Sequence, residues 1–221
     1  MNIPVNQDID NPSEKENKPT LTYIIDDRLY INLCNRCTLV CQFCPKTHDN
    51  WQLHEYNLAL PKSPSVDSIL DSIGNPNQYS EIIFCGYGEP TLRLKALIQI
   101  AKALKEMQAS DSSGPTPLRI NSDGLANLVY KRNILPELEG LIDSWSISLS
   151  AHNEEVYIKH CQPTLDDAYS HVKQFIQLAS KNFKVTATAI NGLEGVDIES
   201  CKTITESLGA EFRERFIDKL G

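Results

Sequence analysis

The sequence predicts an α/β fold, an incomplete TIM-type (βα)6 barrel with a parallel sheet, occupying residues 20–221 behind a disordered N-terminal tail over residues 1–19. Three observations lead there. Short β-branched, apolar segments alternate with helical patterns about six times, which implies parallel strands joined by right-handed crossovers. "EIIFC" (81–85) is a continuous apolar run ended by glycines, the mark of a strand covered on both faces. The chain of 221 residues is long enough to bury its own core. It is short of the roughly 250 residues of a complete eight-unit barrel.

The elements follow in chain order. The opening "MNIPVNQDIDNPSEKENKPT" is polar and rich in Pro, Asn and Glu, with neither the basic start nor the apolar middle of a signal peptide. "LTYII", Asp26-Asp27 and "RLYINL" read as a hairpin running into a cysteine cluster. After "EIIFC", further strands are expected at 118–121, 144–150, 184–190 and 211–217. Helical spacing of Leu94, Leu97, Ile98, Ala101 and Leu104 follows Pro90. Thr164 with Asp167 resembles a capping box ahead of Ala168, Val172, Phe175, Ile176 and Ala179. A last helix from about Ile198 to Leu208 ends at Gly209, a good C′ residue.

Composition narrows the function. No apolar run approaches the roughly eighteen residues of a membrane helix. A net charge of -8 argues against a nucleic-acid-binding surface, which needs a basic face. Seven cysteines without a secretory signal point to a reducing, cytoplasmic setting, where clustered cysteines are more often metal ligands than disulfides. Cys85, Cys161 and Cys201 stand alone and read as small core residues, with Cys161 in a loop after the serine-rich strand. The five histidines have no ligand spacing. Lys46, His48 and Trp51 follow the cluster and are candidates for its mouth.

The cluster itself, "CNRCTLVCQFC", leaves two readings. Four ligands (Cys34, Cys37, Cys41 and Cys44) would make a closed zinc site or an electron-transfer iron–sulfur centre without catalysis. Paired CxxC zinc motifs, however, usually stand about 15–20 residues apart, so one short loop would be strained around a single ion. Cys34 also ends "LYINLC" in strand register. Three ligands, Cys37, Cys41 and Cys44, suit a cubane with one iron left open for a ligand, and an open position is where catalytic metal sites work.

The spacing CxxxCxxC with Phe43 before the last cysteine resembles the radical SAM superfamily. "FCGYGEPTL" (84–92) resembles that family's Gly-Gly-Glu-Pro motif, whose backbone meets the methionine ammonium group, and "RINSDG" (119–124) resembles its Asn-Thr-Asn-Gly strand end. The resemblance implies a [4Fe–4S] cluster on Cys37, Cys41 and Cys44, with S-adenosyl-L-methionine on the fourth iron. Reductive cleavage of that cofactor gives a 5′-deoxyadenosyl radical that abstracts hydrogen from a substrate. It implies cofactor contacts at Phe43, Gly86, Tyr87, Gly88 and Glu89, and at Asn121 and Ser122, where Ser122 and Asp123 depart from the family pattern. Ser148 and Ser150, on one strand face with Ser146, would join them. The implied electron donor is a low-potential flavodoxin or ferredoxin.

"LYINLCNRC", "IIFCGYGEPTLRL", "LRINSDGLANL", "ELEGLIDSWSISLSA" and "ESLGAEFRERF" together resemble the small radical SAM proteins associated with TatD-type hydrolases, over about Leu21 to Phe216. In that subgroup Cys34 is usually Thr or another small residue. A TatD-type hydrolase is therefore the implied partner. Within the class, a glycyl-radical-enzyme activase or a deazapurine-type synthase are alternatives, as is a scaffold that binds the cofactor without turnover.

Overall fold

The computed structural model describes residues 19–108 and 114–216. The predicted tail therefore lies outside the described residues, apart from Pro19. β1 (Thr22–Ile25) and β2 (Arg28–Ile31) form the expected antiparallel hairpin, turning at Asp26 with φ 57°. Aspartate tolerates that left-handed conformation because its short carboxylate can bond locally. A small ribbon of β3 (Gln52–Leu53) and β4 (Tyr56–Asn57) follows. β5 (Glu81–Phe84), β6 (Leu118–Ser122), β7 (Ser144–Ser150), β8 (Lys184–Asn191) and β9 (Glu211–Phe216) then add in parallel to β2.

The seven-stranded sheet has the order β1-β2-β5-β6-β7-β8-β9. Six of its strands are parallel, and β1 and β9 are opposite edges that do not pair with each other. The architecture is the open, unclosed barrel read from the sequence. Its connections carry α1 (Val66–Ile73), α2 (Leu94–Gln108), α3 (Ala126–Tyr130), α4 (Glu154–Cys161) with α5 (Ala168–Ala179), and α6 (Ile198–Ser207). Among the described residues, no helix is long and apolar enough to cross a membrane.

Two-residue alternation divides the sheet. Ile82 and Phe84, Leu118 and Ile120, Trp145 and Ile147, and Val185 and Ala187 face the helices and form one core with Leu97, Ile100, Leu104, Val172, Phe175 and Ile176. The residues between them, including Asn121, Ser146, Ser148 and Thr188, face a cavity on the other side. Ile83 is buried there with Tyr23, Tyr30, Leu53 and Leu58, so β5 is covered on both faces.

Two helical readings change. The helix expected to start from Thr164 begins at Ala168, with no side-chain cap from Asp167. Thr164 instead donates both its amide N–H and its hydroxyl to the Thr38 carbonyl, each at 2.9 Å, so tertiary bonding to the cysteine loop displaces the local cap. Cys161 is the last residue of α4, not a loop residue, and is fully buried. The last helix ends as read, with Gly209 at φ 83°.

Trp145 meets the edges of Phe175, at 5.3 Å between centroids, and Phe183, at 6.1 Å. This cluster locks α5 onto the middle of the sheet. Phe175→Ala is expected to cost about 3–5 kcal/mol, as for other large-to-small core changes. Denaturant unfolding followed by circular dichroism measures it; a loss below about 1 kcal/mol would mean that the sheet does not depend on this contact.

Candidate active site

The strand ends after β2, β5, β6, β7 and β8 surround one cavity of about 460 Å³. That is within the usual range for small-molecule sites. Cys37, Cys41, Cys44 and Phe43 line it, as do Gly86, Tyr87, Gly88 and Glu89, Asn121 and Ser122, and Ser148 and Ser150. The residues read from the sequence as cluster ligands and cofactor contacts thus share one wall system. Cys34 does not line it. It is buried, and its sulfur accepts the Arg36 amide at 3.2 Å, so it closes a turn at the root of the loop.

The cysteine loop is held from both sides. On one side, Val40 N–H donates to Cys161 O at 3.1 Å, and Gln42 N–H to His160 O at 2.9 Å, both on α4. On the other, the GYGEP turn packs under the root of the loop. Glu89 N–H donates to Arg36 O at 2.7 Å. A Cβ on Gly88 would lie 1.9 Å from Cys34 O, and one on Gly86 would lie 2.4 Å from Asn32 Oδ1. Only glycine permits that approach.

The Glu89 side chain is consumed by protein donors. Its carboxylate accepts from Thr91 N (3.0 Å), Thr91 Oγ1 (2.6 Å), Ser122 Oγ (3.0 Å) and Asp123 N (2.7 Å). Asp123 in turn accepts from Thr38 Oγ1 and from Leu125 N. Burial, then the Asp123 charge, raises the Glu89 pKa to about 8, and burial also raises that of Asp123. Two adjacent buried carboxyls share a proton more readily than they both ionise. Glu89 and Ser122 therefore reach the wall of the site but act by shaping it. The Ser122 hydroxyl also accepts the Gly124 amide at 3.0 Å.

The three cavity thiols are not gathered around one point. Among the described residues, no group of three His, Cys, Asp or Glu side chains forms a ready single-ion site. Cys37 Sγ is 3.9 Å from Asp123 Oδ2, and burial followed by the Asp123 and Glu89 charges pushes its thiol up to about 12. Cys41 is hydrogen-bonded to Cys161, which with burial raises its pKa. The same bond, with one to Ser150, lowers that of Cys161. Cys161 is therefore part of the loop's support. Cys85 lines the cavity and is not a core residue, whereas Cys201 is buried in the core.

The residues expected at the mouth fall elsewhere. Lys46 Nζ donates to Asn35 O at 3.1 Å, His48 Nε2 lies 2.6 Å from Gln42 O, and Trp51 packs against Tyr87. None of the three lines the cavity: Lys46 and His48 are tied back to their own loop, and Trp51 touches the cavity residue Tyr87 without lining it. Sequence reading noted Asp123 only as a departure from the family pattern and passed over Thr38, Tyr23, Tyr30, Arg28, Arg119, Arg213 and Arg215. The last pair had a signal, since alternation in "EFRERF" puts both on one strand face.

The fit to a cluster and an amino-acid-derived cofactor rests on these features. Three thiols on one compact loop, with the fourth cysteine turned away, leave one corner of a cubane without a protein ligand. Beside them, the two glycines line the cavity, and the Asn121 Oδ1 acceptor is sealed from solvent with no partner among the described residues. The family model described as the radical SAM superfamily matches residues 31–208, which include all of these groups.

The chain belongs to the radical SAM superfamily.

Solved structures of radical SAM enzymes share the fold. "Structure of TYW1 with a lysine-pyruvate adduct bound" superposes at a TM-score of 0.57 and 13% identity, covering 88% of this chain and 67% of that one. A radical SAM methyltransferase from Sphaerobacter thermophilus gives 0.53 and 12%, covering 88% and 68%. HydG, a maturase of the [FeFe]-hydrogenase, gives 0.54 and 13%, covering 88% and 43%. No curated protein matches the chain in sequence. Identities this low speak for the radical SAM fold alone.

Two outcomes follow from the carboxylate knot and the glycine contact. Glu89 has a folded pKa above its unfolded value, so its proton stabilises the fold at low pH, and that contribution is lost as pH rises toward about 8. Melting of the metal-free chain should therefore occur at progressively lower temperature from about pH 5 to about pH 8, with a flatter profile in Glu89→Gln. An unchanged slope in that variant would mean that the carboxylate does not titrate there. Gly88→Ala must displace the Cys34 backbone, at a cost of at least about 1–3 kcal/mol, and should lower the iron retained after anaerobic reconstitution. Full iron content with an unchanged melting temperature would show that the close packing is dispensable.

Proposed function

We propose that this chain is a radical SAM enzyme: it binds a [4Fe–4S] cluster through Cys37, Cys41 and Cys44 and cleaves S-adenosyl-L-methionine reductively. When bound, the cluster and cofactor supply a 5′-deoxyadenosyl radical able to abstract hydrogen from a substrate. The observation that carries this reading is the division of the four clustered cysteines. Three line the cavity, and Cys34 is buried on the Arg36 amide outside it. That arrangement speaks against a closed four-cysteine zinc or electron-transfer site.

The chain's own residues then have distinct tasks. The thiols of Cys37, Cys41 and Cys44 give up their protons on metal binding, which offsets the raised pKa of the first two. The backbone of Gly86, Tyr87 and Gly88 offers carbonyls where a cofactor ammonium needs acceptors. Asn121 Oδ1 and the Ser148 hydroxyl face the cavity for its other polar groups, with Ser150 beside them bonded to Cys161. Phe43, Leu39 and Ile190 present apolar surface that excludes water from the reacting end.

A low-potential flavodoxin or ferredoxin is the proposed electron donor, and a TatD-type hydrolase the proposed partner. The donor rests on the resemblance to the radical SAM class, and the partner on the resemblance to the TatD-associated proteins over about Leu21 to Phe216. A reducing, cytoplasmic setting belongs to the same proposal, supported by seven free cysteines.

Anaerobic reconstitution with iron and sulfide, followed by EPR of the dithionite-reduced protein, tests the reading. Addition of S-adenosylmethionine should change the [4Fe–4S]⁺ signal, with 5′-deoxyadenosine formed. Cys34→Ala should keep the cluster, while alanine at Cys37, Cys41 or Cys44 should abolish it. A spectrum indifferent to the cofactor, or loss of metal in Cys34→Ala, would refute the open-iron assignment.

A further inference from the structure

The cofactor reading leaves part of the cavity wall unused. That wall carries four guanidinium groups: Arg28, Arg119, Arg213 and Arg215 all line the cavity. Arg28 opens β2, and Arg119 is the second residue of β6. A strand rises about 3.3 Å per residue, so the start of β2 lies about 10 Å below the end that leads into the cysteine loop. Arg213 and Arg215 project from β9, where they pair with Thr188 and Ile190 of β8.

These cations are short of counter-charges. Arg119 makes a two-pronged pair with Glu81, Nε to Oε1 at 3.0 Å and Nη2 to Oε2 at 2.9 Å. Arg28 Nε is 3.9 Å from the same carboxylate. One anion thus serves two cations. Among the described residues, Arg213 donates to a neutral acceptor, Ser146 Oγ at 3.3 Å. Arg215 Nε is sealed from solvent with no partner among the described residues. Of the carboxylates lining the cavity, Glu89 and Asp123 are bound up in their own network at the cysteine end, and Asp26 sits at the hairpin turn. Burial, then the charges of Arg119 and Arg215, lowers the Arg213 pKa, as expected where like charges converge.

The charge is placed against the trend of the whole molecule, which carries -8. A cationic cavity in an acidic protein focuses anions on that cavity. Guanidinium, with its planar fork, suits carboxylate and phosphate oxygens better than a point charge does. A wall needed only for packing would be satisfied by apolar residues without leaving a buried donor unpaired.

We propose that Arg213 and Arg215, backed by Arg119, form an anion subsite for the substrate: a small molecule bearing a carboxylate or phosphate, held against the β9 wall with its reacting part toward the cysteine loop. The stacked pair Tyr23 and Tyr30, 5.0 Å apart, walls the space beside it. That the bound anion belongs to a substrate rests on the proposed enzyme activity. The anion subsite itself does not.

The test is titration of the reconstituted full-length protein with inorganic phosphate and with succinate, at constant ionic strength, following its melting temperature. Saturable stabilisation by either probe is expected, phosphate alone indicating a phosphorylated substrate and succinate alone a carboxylate. Arg213→Gln and Arg215→Gln should each raise the half-saturating concentration at least tenfold, whereas Lys159→Gln, outside the cavity, should not. Circular dichroism of each variant establishes that it is folded, and Arg215→Lys separates loss of the fork from loss of charge by an intermediate affinity. No saturable effect, equal affinity in the glutamine variants, or displacement of the anion by S-adenosylmethionine would overturn the proposal; the last would assign the arginines to the cofactor carboxylate. The EPR response of the wild-type cluster to the cofactor is read separately. A positive EPR response without anion binding fails only this inference, and anion binding without an EPR response fails only the enzyme reading.

Discussion

Everything at the cavity's upper end depends on the buried carboxylate of Glu89. Four donors from two strand ends converge on it: Thr91 twice, Ser122 and Asp123. Its own amide reaches Arg36 at the root of the cysteine loop, and Asp123 passes the connection on to Thr38 within that loop. One side chain thereby fixes the ends of β5 and β6 and the loop after β2 relative to one another. Burying such a group is expensive unless its lone pairs are filled, and here they are. The raised pKa of the carboxyl pair is the residual cost of that burial.

The glycines beside Glu89 make the knot possible. Gly88 sits where any side chain would enter the Cys34 carbonyl, so the turn and the loop touch backbone to backbone. From the opposite side, α4 grips the loop through Val40 and Gln42, and Thr164 beyond it bonds the Thr38 carbonyl. The three thiols are consequently carried on a segment anchored at both flanks while the space above them stays open. The same sheet then divides the cavity wall: neutral polar groups and glycine backbone at the ends of β5, β6 and β7, guanidinium groups on β9 and near the starts of β2 and β6.

Much of this was legible in the sequence because its signals are local. Strand alternation, the apolar "EIIFC" run, the cysteine spacing and the GYGEP turn each lie within a few residues. The role of Cys34 could also be read from strand register. What escaped is non-local. Partners of Glu89 come from the end of β6, and Cys161 meets Cys41 from 120 positions further along the chain, with no periodicity to announce it. Thr164 had the pattern of a cap but spends its donors on Thr38. α4 is weakly apolar, with only Tyr157, His160 and Cys161 buried. Its readable signal was the cap, Asn153 followed by Glu154 and Glu155. α1 carried a clear one as well: Ser65 ahead of Val66, Ile69 and Ile73.

The central claim is that the metal centre on Cys37, Cys41 and Cys44 keeps one iron for the methionine end of the cofactor. Pulsed ENDOR of the reduced, reconstituted protein with S-adenosylmethionine labelled with ¹⁵N at its amino group examines that bond itself. A resolved ¹⁵N hyperfine coupling to the cluster is the predicted result. A cluster signal with no such coupling, at cofactor concentrations that saturate binding, would contradict the account.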